Sequence, residues 1–190
     1  MKLRLVLILS LLCLFVPLLK AQVVNPRLWI SSDFGGKGHG SIVNTDLMGQ
    51  NLKTIKIFEG DPMGADPGSG LITGLDGNFY GTTMRGGAFD KGTIYKIAKN
   101  DNSFTKLFEF NGTTQGGYPM GNLVQSANGE LFGVTNGGGS NGMGALYKIA
   151  PDGTNFSVLT NFIESNGYYP NLGPVKGMDG NFYGSLDGGA

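Results

Sequence analysis

The sequence predicts an all-β fold assembled from repeated four-stranded units. Three observations predict it: a repeat of 51 to 52 residues, Asp-Gly or Asn-Gly turn dipeptides at one position of the repeat, and short runs that are apolar on both faces. Beyond the N-terminal apolar run, no window shows the 3.6-residue periodicity of an amphipathic helix. Short strands at regular spacing with turn signals between them are typical of an antiparallel β-meander.

The repeat is marked by three series of residues at matching intervals. They are Pro67, Pro119 and Pro170; Phe58, Phe110 and Phe162; and Gly81, Gly133 and Gly184. An earlier copy is visible in Trp29, which lies 51 residues before Tyr80. A period of this length indicates supersecondary units that stack on one another. We therefore divide residues 22–190 into partial copies at 27–66 and 170–190 and fuller copies at 67–118 and 119–169.

The copy at 67–118 predicts four strands in order, at Gly70–Gly74, Asn78–Thr83, Thr93–Ala98 and Phe104–Phe110. Asp76-Gly77 separates the first two, because such dipeptides adopt the positive φ angles that tight hairpins require. Glycines 86 and 87 begin a loop to the third strand, which we interpret as flexible. The fourth run mixes charged with apolar residues, as an exposed outer strand does.

Adjacent apolar residues indicate that each sheet is covered on both faces. Phe79 and Tyr80 are neighbours and therefore point to opposite faces of their strand. Four antiparallel strands between neighbouring sheets, with a polar outer strand, describe the blade of a β-propeller, and kelch-type propellers have a period near 50. We expect Gly81 to allow the close approach of a neighbouring residue. We also expect burial of five aromatic residues: Phe79, Tyr80, Phe132, Phe182 and Tyr183.

The N-terminus predicts a secretory signal peptide at residues 1–21. Lys2 and Arg4 precede the apolar run Leu5–Leu19, and Ala21 supplies the small residue expected at a cleavage site. The run is shorter than the roughly 20 residues that a membrane-spanning helix needs. We therefore expect an exported mature chain that is secreted or held at the cell surface, without a membrane span.

Removal of the signal peptide leaves 11 of the 14 basic residues against 14 acidic ones, a net charge of −3. This balance argues against nucleic acid as a partner. The single cysteine, Cys13, leaves with the signal, so the mature chain has no disulfide, thiolate nucleophile or cysteine metal site. Glycine supplies 34 of 190 residues without a three-residue period, which excludes collagen, while 11% aromatic residues argue against a disordered linker.

The motifs that resemble cofactor or metal sites are weak matches to those patterns. The glycines of residues 137–142 spell GxGxxG, but the following run is a strand, whereas dinucleotide binding requires a helix there. Gly35–Val43 resembles a calcium-binding nonapeptide, but Gly40 replaces the ligand aspartate. His39 is the only histidine, and an isolated histidine is a poor metal site. We therefore predict no catalytic residue, no cofactor and no metal site.

Two classes of function remain, and both use the loops. Asp33, Asp90, Arg85 and Trp29 occupy the same loop region in different copies, and we interpret them as solvated loop residues. We favour a non-enzymatic surface or scaffold module that binds glycan or protein through its loops. The alternative is a secreted glycan-active propeller enzyme. A cluster of acidic residues with an aromatic platform in one pocket would favour that alternative, whereas repeat-equivalent, Gly-rich loops favour binding.

Three stretches carry a resemblance to a known family. They are LDGNFYGTTMRGGAFDKGTIYKI from Leu75, ANGELFGVTNGGGSNGMGALYKI from Ala127 and MDGNFYGSLDGG from Met178. In these stretches the sequence resembles the bacterial tandem-repeat family called GloVer, whose members are described as choice-of-anchor proteins. The resemblance covers roughly residues 27 to 190 and implies an exported repeat protein tethered to the cell surface by a C-terminal anchor. It implies no catalytic residues.

The number of repeats predicts an incomplete propeller. Residues 22–190 hold about 3.3 repeats, fewer than the four blades of the smallest propellers. The last copy has its first two strands only, and no anchor segment follows it, so we interpret the sequence as a fragment. Uncovered apolar surface and free strand edges favour association, and we therefore expect this chain to self-associate or to be marginally stable.

We predict that N-terminal sequencing of exported protein begins at Gln22, because the charged, apolar and small-residue regions of a signal peptide precede it in order. Mature protein that retains Lys2 and the apolar run would show that this interpretation is wrong.

Overall fold

The computed structural model describes residues 26–33, 38–60 and 62–189. The predicted signal peptide, its cleavage site and part of the stretch Gly35–Val43 lie outside the described residues. The described residues form thirteen strands and no helix, which confirms the all-β prediction. In this part of the chain no helix is long and apolar enough to cross a membrane.

The strands form four antiparallel sheets that follow one another along the chain, which we call blades 1 to 4. Blade 1 consists of β1 (Arg27–Ser32), β2 (Ser41–Asp46) and β3 (Lys53–Ile57), and blade 2 of β4 (Ile72–Thr73), β5 (Phe79–Thr83), β6 (Thr93–Ile97) and β7 (Phe104–Glu109). Blade 3 consists of β8 (Val124–Gln125), β9 (Leu131–Thr135), β10 (Ala145–Ile149) and β11 (Ser157–Asn161), and blade 4 of β12 (Val175–Lys176) and β13 (Phe182–Tyr183). Within each blade every strand pairs with the next one, as predicted, and the first strand of blade 2 is shorter than the predicted Gly70–Gly74.

The apolar cores lie between successive blades. Tyr80 and Ile94 of blade 2 pack against Leu131 and Tyr147 of blade 3, and all four are fully buried. The opposite face of blade 2 packs against blade 1, where Tyr95 lies in a second buried cluster. Blade 2 is therefore covered on both faces, as its adjacent apolar residues predict.

The burial of the five aromatic residues in the prediction depends on whether a neighbouring blade covers them. Tyr80 is fully buried, whereas Phe79, Phe132 and Phe182 are partly buried. Phe132 meets Phe182 across the boundary between blades 3 and 4, with ring centroids 5.4 Å apart. The prediction was wrong for Tyr183, which is 53% exposed. Tyr183 is the counterpart of Tyr80 and faces away from blade 3, where no described strand covers it.

The Asp-Gly-Asn turn is held by hydrogen bonds that converge on its aspartate. Asp76 accepts hydrogen bonds from the backbone N–H of Asn78 at 3.0 Å, from the Asn78 side-chain amide at 2.6 Å and from the Tyr80 hydroxyl at 2.8 Å. Burial favours a higher pKa for Asp76, but these hydrogen bonds outweigh it and hold the pKa below its ordinary value. The turn therefore connects the hairpin to the buried tyrosine of its second strand.

Gly81 lets the Tyr95 side chain cross its own sheet at short range. A Cβ atom on Gly81 would lie 2.5 Å from the Tyr95 hydroxyl oxygen and 3.0 Å from a methyl group of Leu71. Gly133 has the same relation to Tyr147 in blade 3, whereas a Cβ on Gly184 in blade 4 would meet no atom within 4 Å. The prediction that Gly81 allows a close neighbour is confirmed.

We expect Gly81→Ala to lower the free energy of unfolding by about 1 to 3 kcal/mol, because the new methyl group would overlap a buried tyrosine in a packed core. Gly184→Ala is the matched control and should change stability by less than about 0.5 kcal/mol, since open space surrounds that position. Urea denaturation of both variants measures the difference, and equal effects would contradict the packing argument.

We expect Tyr80→Phe to raise the pKa of Asp76, because it removes a hydrogen bond to the charged carboxylate. The lowered pKa in the folded chain stabilises it above the pKa of the unfolded chain, and this contribution is lost as the pH falls through the folded value. The stability difference between the two proteins should therefore shrink on acidification through that range. Carboxyl titration by NMR and urea denaturation test this, and an unchanged Asp76 pKa in the variant would refute it.

Candidate functional site

The antiparallel order of the strands gathers the long loops at one end of the blades. Loops that follow the second or the fourth strand of a repeat lie at this end, whereas the short turns that follow its first and third strands lie at the other end. Blade 1 begins at a second strand, because Trp29 of β1 is the counterpart of Tyr80. We call the first end the loop face; its described segments are Asp33, 38–40, 58–60, 62–71, 84–92, 110–123, 136–144, 162–174 and 184–189. Loops held on a rigid scaffold are the usual location of binding residues.

A repeated backbone arrangement holds the loop face together. The residues before the three repeat prolines have positive φ angles: 57° at Asp66, 59° at Tyr118 and 51° at Tyr169. Their N–H groups donate to carbonyl oxygens of the preceding blade, at 2.9 Å to His39, 2.8 Å to Lys91 and 3.1 Å to Met143. These hydrogen bonds join adjacent blades and keep a strained conformation in place.

The carbonyl groups of Asp66 and Tyr118 accept a second set of hydrogen bonds, from the blade that follows each of them. The carbonyl of Asp66 accepts a hydrogen bond from the Met84 N–H at 2.9 Å, and the carbonyl of Tyr118 accepts one from the Asn136 N–H at 3.0 Å. Asp66 and Tyr118 are therefore fixed by hydrogen bonds on both sides of the α-carbon. The loop-face side chains at these positions project from a defined backbone.

A cleft of about 400 Å³ opens on the loop face, with walls from blades 1, 2 and 3. Its lining residues are Asp33, Asp66, Gly68, Met84, Arg85 and Met120. Arg85 Nε lies 3.7 Å from Asp66 Oδ2, and 57% of the Arg85 side chain remains exposed. Such an exposed pair contributes little to stability, and its donors and acceptors remain available to a ligand.

Polar groups continue from the cleft across blades 3 and 4. Asn136, the counterpart of Met84, donates through its amide to Asn171 Oδ1 at 2.8 Å. The Asn171 amide in turn donates to the carboxylate of Asp187. This polar row and the cleft give the loop face alternating hydrogen-bond donors and acceptors.

The structure brings together two of the four loop residues that the sequence singled out. Asp33 and Arg85 line the same cleft, whereas the Asp90 carboxylate accepts a hydrogen bond from the Gly86 N–H at 2.8 Å within its own loop. Trp29 packs against Phe79 between blades 1 and 2, with ring centroids 4.3 Å apart. Trp29 therefore contributes to the fold at this boundary.

In the described residues, the other weak motifs of the sequence do not form a metal site or a dinucleotide site. His39 is exposed, and its ring lies beside Gly60. No group of three or more metal-ligating side chains occurs within residues 26–33, 38–60 and 62–189. The GxGxxG stretch at 137–142 is a loop followed by β10, so the helix of a dinucleotide site is replaced by a strand.

Sequence reasoning missed Asp66, Tyr118 and Tyr169 as members of the loop face. The only signal was their position before the repeat prolines, and the residue type changes from Asp to Tyr between copies. Their positive φ angles arise from hydrogen bonds between blades, which no local pattern reveals.

Comparison with known proteins supports the fold. No curated protein matches the chain. A chain in the crystal structure of a nidogen/laminin complex is 19% identical with a TM-score of 0.54, over 78% of this chain and 48% of that one. TolB from Acinetobacter baumannii is 18% identical with a TM-score of 0.49, over 82% of this chain and 39% of that one. The chain thus spans about half or less of the length of these structures. Its likeness to the nidogen/laminin chain concerns the fold alone.

The family comparison covers nearly the whole sequence. A family model described as the Gloeobacter/Verrucomicrobia repeat matches residues 17–190. This range includes all four blades and the three stretches that carry the resemblance to GloVer proteins. The chain therefore belongs to the Gloeobacter/Verrucomicrobia repeat family.

Proposed function

We propose that this chain is an exported, non-enzymatic binding module that holds a glycan on its loop face. The observation that carries the proposal is the backbone strain at the residues before the repeat prolines. Tyr118 and Tyr169 are the only described residues with positive φ that are not Gly, Asn or Asp. A left-handed conformation costs such a residue roughly 1 to 2 kcal/mol.

The strain is informative because this chain uses glycine freely elsewhere. Twenty described glycines have positive φ, so the same backbone path is available without a side chain. Tyrosine at these two positions therefore adds cost without a backbone benefit, and strain of this kind clusters at ligand-binding sites. Tyr169 is 43% exposed on the loop face, where an aromatic ring can stack on the apolar face of a sugar.

The chemistry of the loop face suits a polyhydroxylated ligand. The cleft offers the carboxylates of Asp33 and Asp66 as acceptors and the Arg85 guanidinium as a donor, and Asn136 and Asn171 supply amide groups beyond it. Its volume of about 400 Å³ falls within the range of small-ligand sites. A protein ligand is the alternative that the same exposed loops allow.

We expect Tyr169→Gly to abolish glycan binding while leaving the free energy of unfolding unchanged within about 1 kcal/mol, because relief of backbone strain offsets the added freedom of the unfolded chain. Arg85→Ala should weaken binding at least tenfold through loss of hydrogen bonds to the ligand. An array of bacterial and plant polysaccharides, followed by calorimetry on each hit, measures binding.

Asn155→Gly is the matched control. Asn155 also has positive φ, at 55°, but lies in a turn at the end opposite the loop face, so its replacement should leave binding intact. Equal binding by Tyr169→Gly and the unaltered chain would contradict the proposal. Release of reducing sugar from a bound polysaccharide would favour the glycan-active enzyme instead.

A further inference from the structure

Two positions of the repeat meet on the loop face at the boundaries between the described blades. One lies four residues after Trp29 and its counterparts Tyr80 and Phe132, and the other lies directly after the repeat proline of the next blade. From blade 1 to blade 4 the pairs at these positions are Asp33 with Gly68, Met84 with Met120, and Asn136 with Asn171. Each boundary therefore carries a different pair at an equivalent place.

The two later pairs consist of side chains on both sides of the boundary. Asn136 donates through its amide to Asn171 Oδ1 at 2.8 Å, so each amide in this pair has the other as its partner. The thioether side chains of Met84 and Met120 both line the cleft of the loop face. At these boundaries the chain itself supplies a partner for each side chain.

The pair at the boundary of blades 1 and 2 lacks one side chain. Gly68 has none, and a Cβ atom there would lie 3.1 Å from Asp33 Oδ1. The Asp33 carboxylate therefore faces an open position where the later boundaries carry a side chain. Asp33 and Gly68 both line the cleft of about 400 Å³, so this open position is accessible to a ligand in the cleft.

The cleft has one negative charge that its own residues do not neutralise. Its charged lining residues are Asp33, Asp66 and Arg85, which are two carboxylates and one cation. Arg85 lies beside Asp66, with Nε 3.7 Å from Oδ2. Among the described residues, no group donates a hydrogen bond to the Asp33 carboxylate. A ligand donor at the open position therefore meets an unpaired carboxylate.

An ammonium group satisfies this position better than a hydroxyl group. It carries the compensating charge and three N–H donors, and hydrogen bonds between charged groups are roughly twice as strong as neutral ones. The neighbouring Met84 and Met120 side chains supply adaptable apolar surface, which suits the C–H groups of a sugar ring. A sugar with an amino substituent on its ring combines both features.

We propose that the cleft selects glycans whose sugars carry free amino groups, with the ammonium group bound by Asp33 in the space beside Gly68. This inference rests on the proposed glycan binding at the loop face and adds the chemical class of the glycan. N-acetylation removes the charge of the amino group, so an acetylated sugar loses the ion pair with Asp33. A neutral sugar keeps only its hydroxyl hydrogen bonds.

The test compares tetramers of glucosamine, N-acetylglucosamine and glucose that share the same β linkage, each titrated into the full chain by calorimetry. We expect the glucosamine tetramer to bind at least about tenfold more tightly than the other two, because its ammonium group adds a charge-assisted hydrogen bond. Salt should weaken binding of the glucosamine tetramer and leave binding of the glucose tetramer unchanged, since salt screens exposed charges.

Three variants locate the ammonium group. Asp33→Asn removes the charge at nearly constant size and should reduce the affinity for the glucosamine tetramer to that for the glucose tetramer. Gly68→Asn places an amide opposite Asp33, as in the Asn136 and Asn171 pair, and should weaken binding of the glucosamine tetramer about tenfold. Glu164→Gln is the matched control, because it removes an exposed carboxylate of the loop face outside the cleft, and it should leave affinity unchanged. Circular dichroism checks that all three variants keep their strand content.

The outcomes separate this inference from glycan binding itself. Equal affinity for the three tetramers would leave the proposed function standing and show that the cleft does not select an amine, whereas no binding of any tetramer would contradict both. Unchanged affinity in Asp33→Asn, or an equal loss in Glu164→Gln, would indicate general attraction to an acidic chain. Tighter binding of a short lysine peptide than of the glucosamine tetramer would indicate a protein ligand instead.

Discussion

The structure depends on the packing of β-sheets face to face. Side chains alternate between the two faces of a strand, so the second strand of blade 2 sends Phe79 toward blade 1 and Tyr80 toward blade 3. The buried clusters consequently lie between blades, and a single blade has no core of its own. Stability in such an arrangement is shared between neighbours, and a blade face without a neighbour leaves aromatic surface in water, as at Tyr183.

The loop face follows from the same packing. The hydrogen bond from the Asp66 N–H to the His39 carbonyl joins blades 1 and 2, and its counterparts join the later blades. Asp33 belongs to blade 1, Arg85 to blade 2 and Met120 to the loop that enters blade 3, so their cleft exists only when three blades are stacked. The backbone strain at Tyr118 and Tyr169 is sustained by these connections between blades.

The chain therefore presents two surfaces of opposite character. The loop face carries charged and amide groups that exchange hydrogen bonds with one another, whereas the boundary of blades 3 and 4 is lined almost entirely by apolar side chains. Stacked repeats permit this separation, because loops and blade boundaries lie at different sides of each sheet.

Much of the fold was predictable from the sequence because its determinants are local. The repeat period, the Asp76-Gly77 turn and the adjacent Phe79 and Tyr80 each act within a few residues, so turn chemistry and two-residue alternation are sufficient to predict strands and two covered faces. The same reasoning failed for Tyr183, since burial depends on whether another blade covers that face.

The candidate site was only partly predictable for the same reason. Asp33, Asp66 and Arg85 meet through contacts between blades, and the positive φ of Tyr118 is maintained by a carbonyl of the preceding blade. The sequence by itself determined the blade, and the stacking of blades decided which side chains share a surface, because that stacking brings together residues that are distant along the chain.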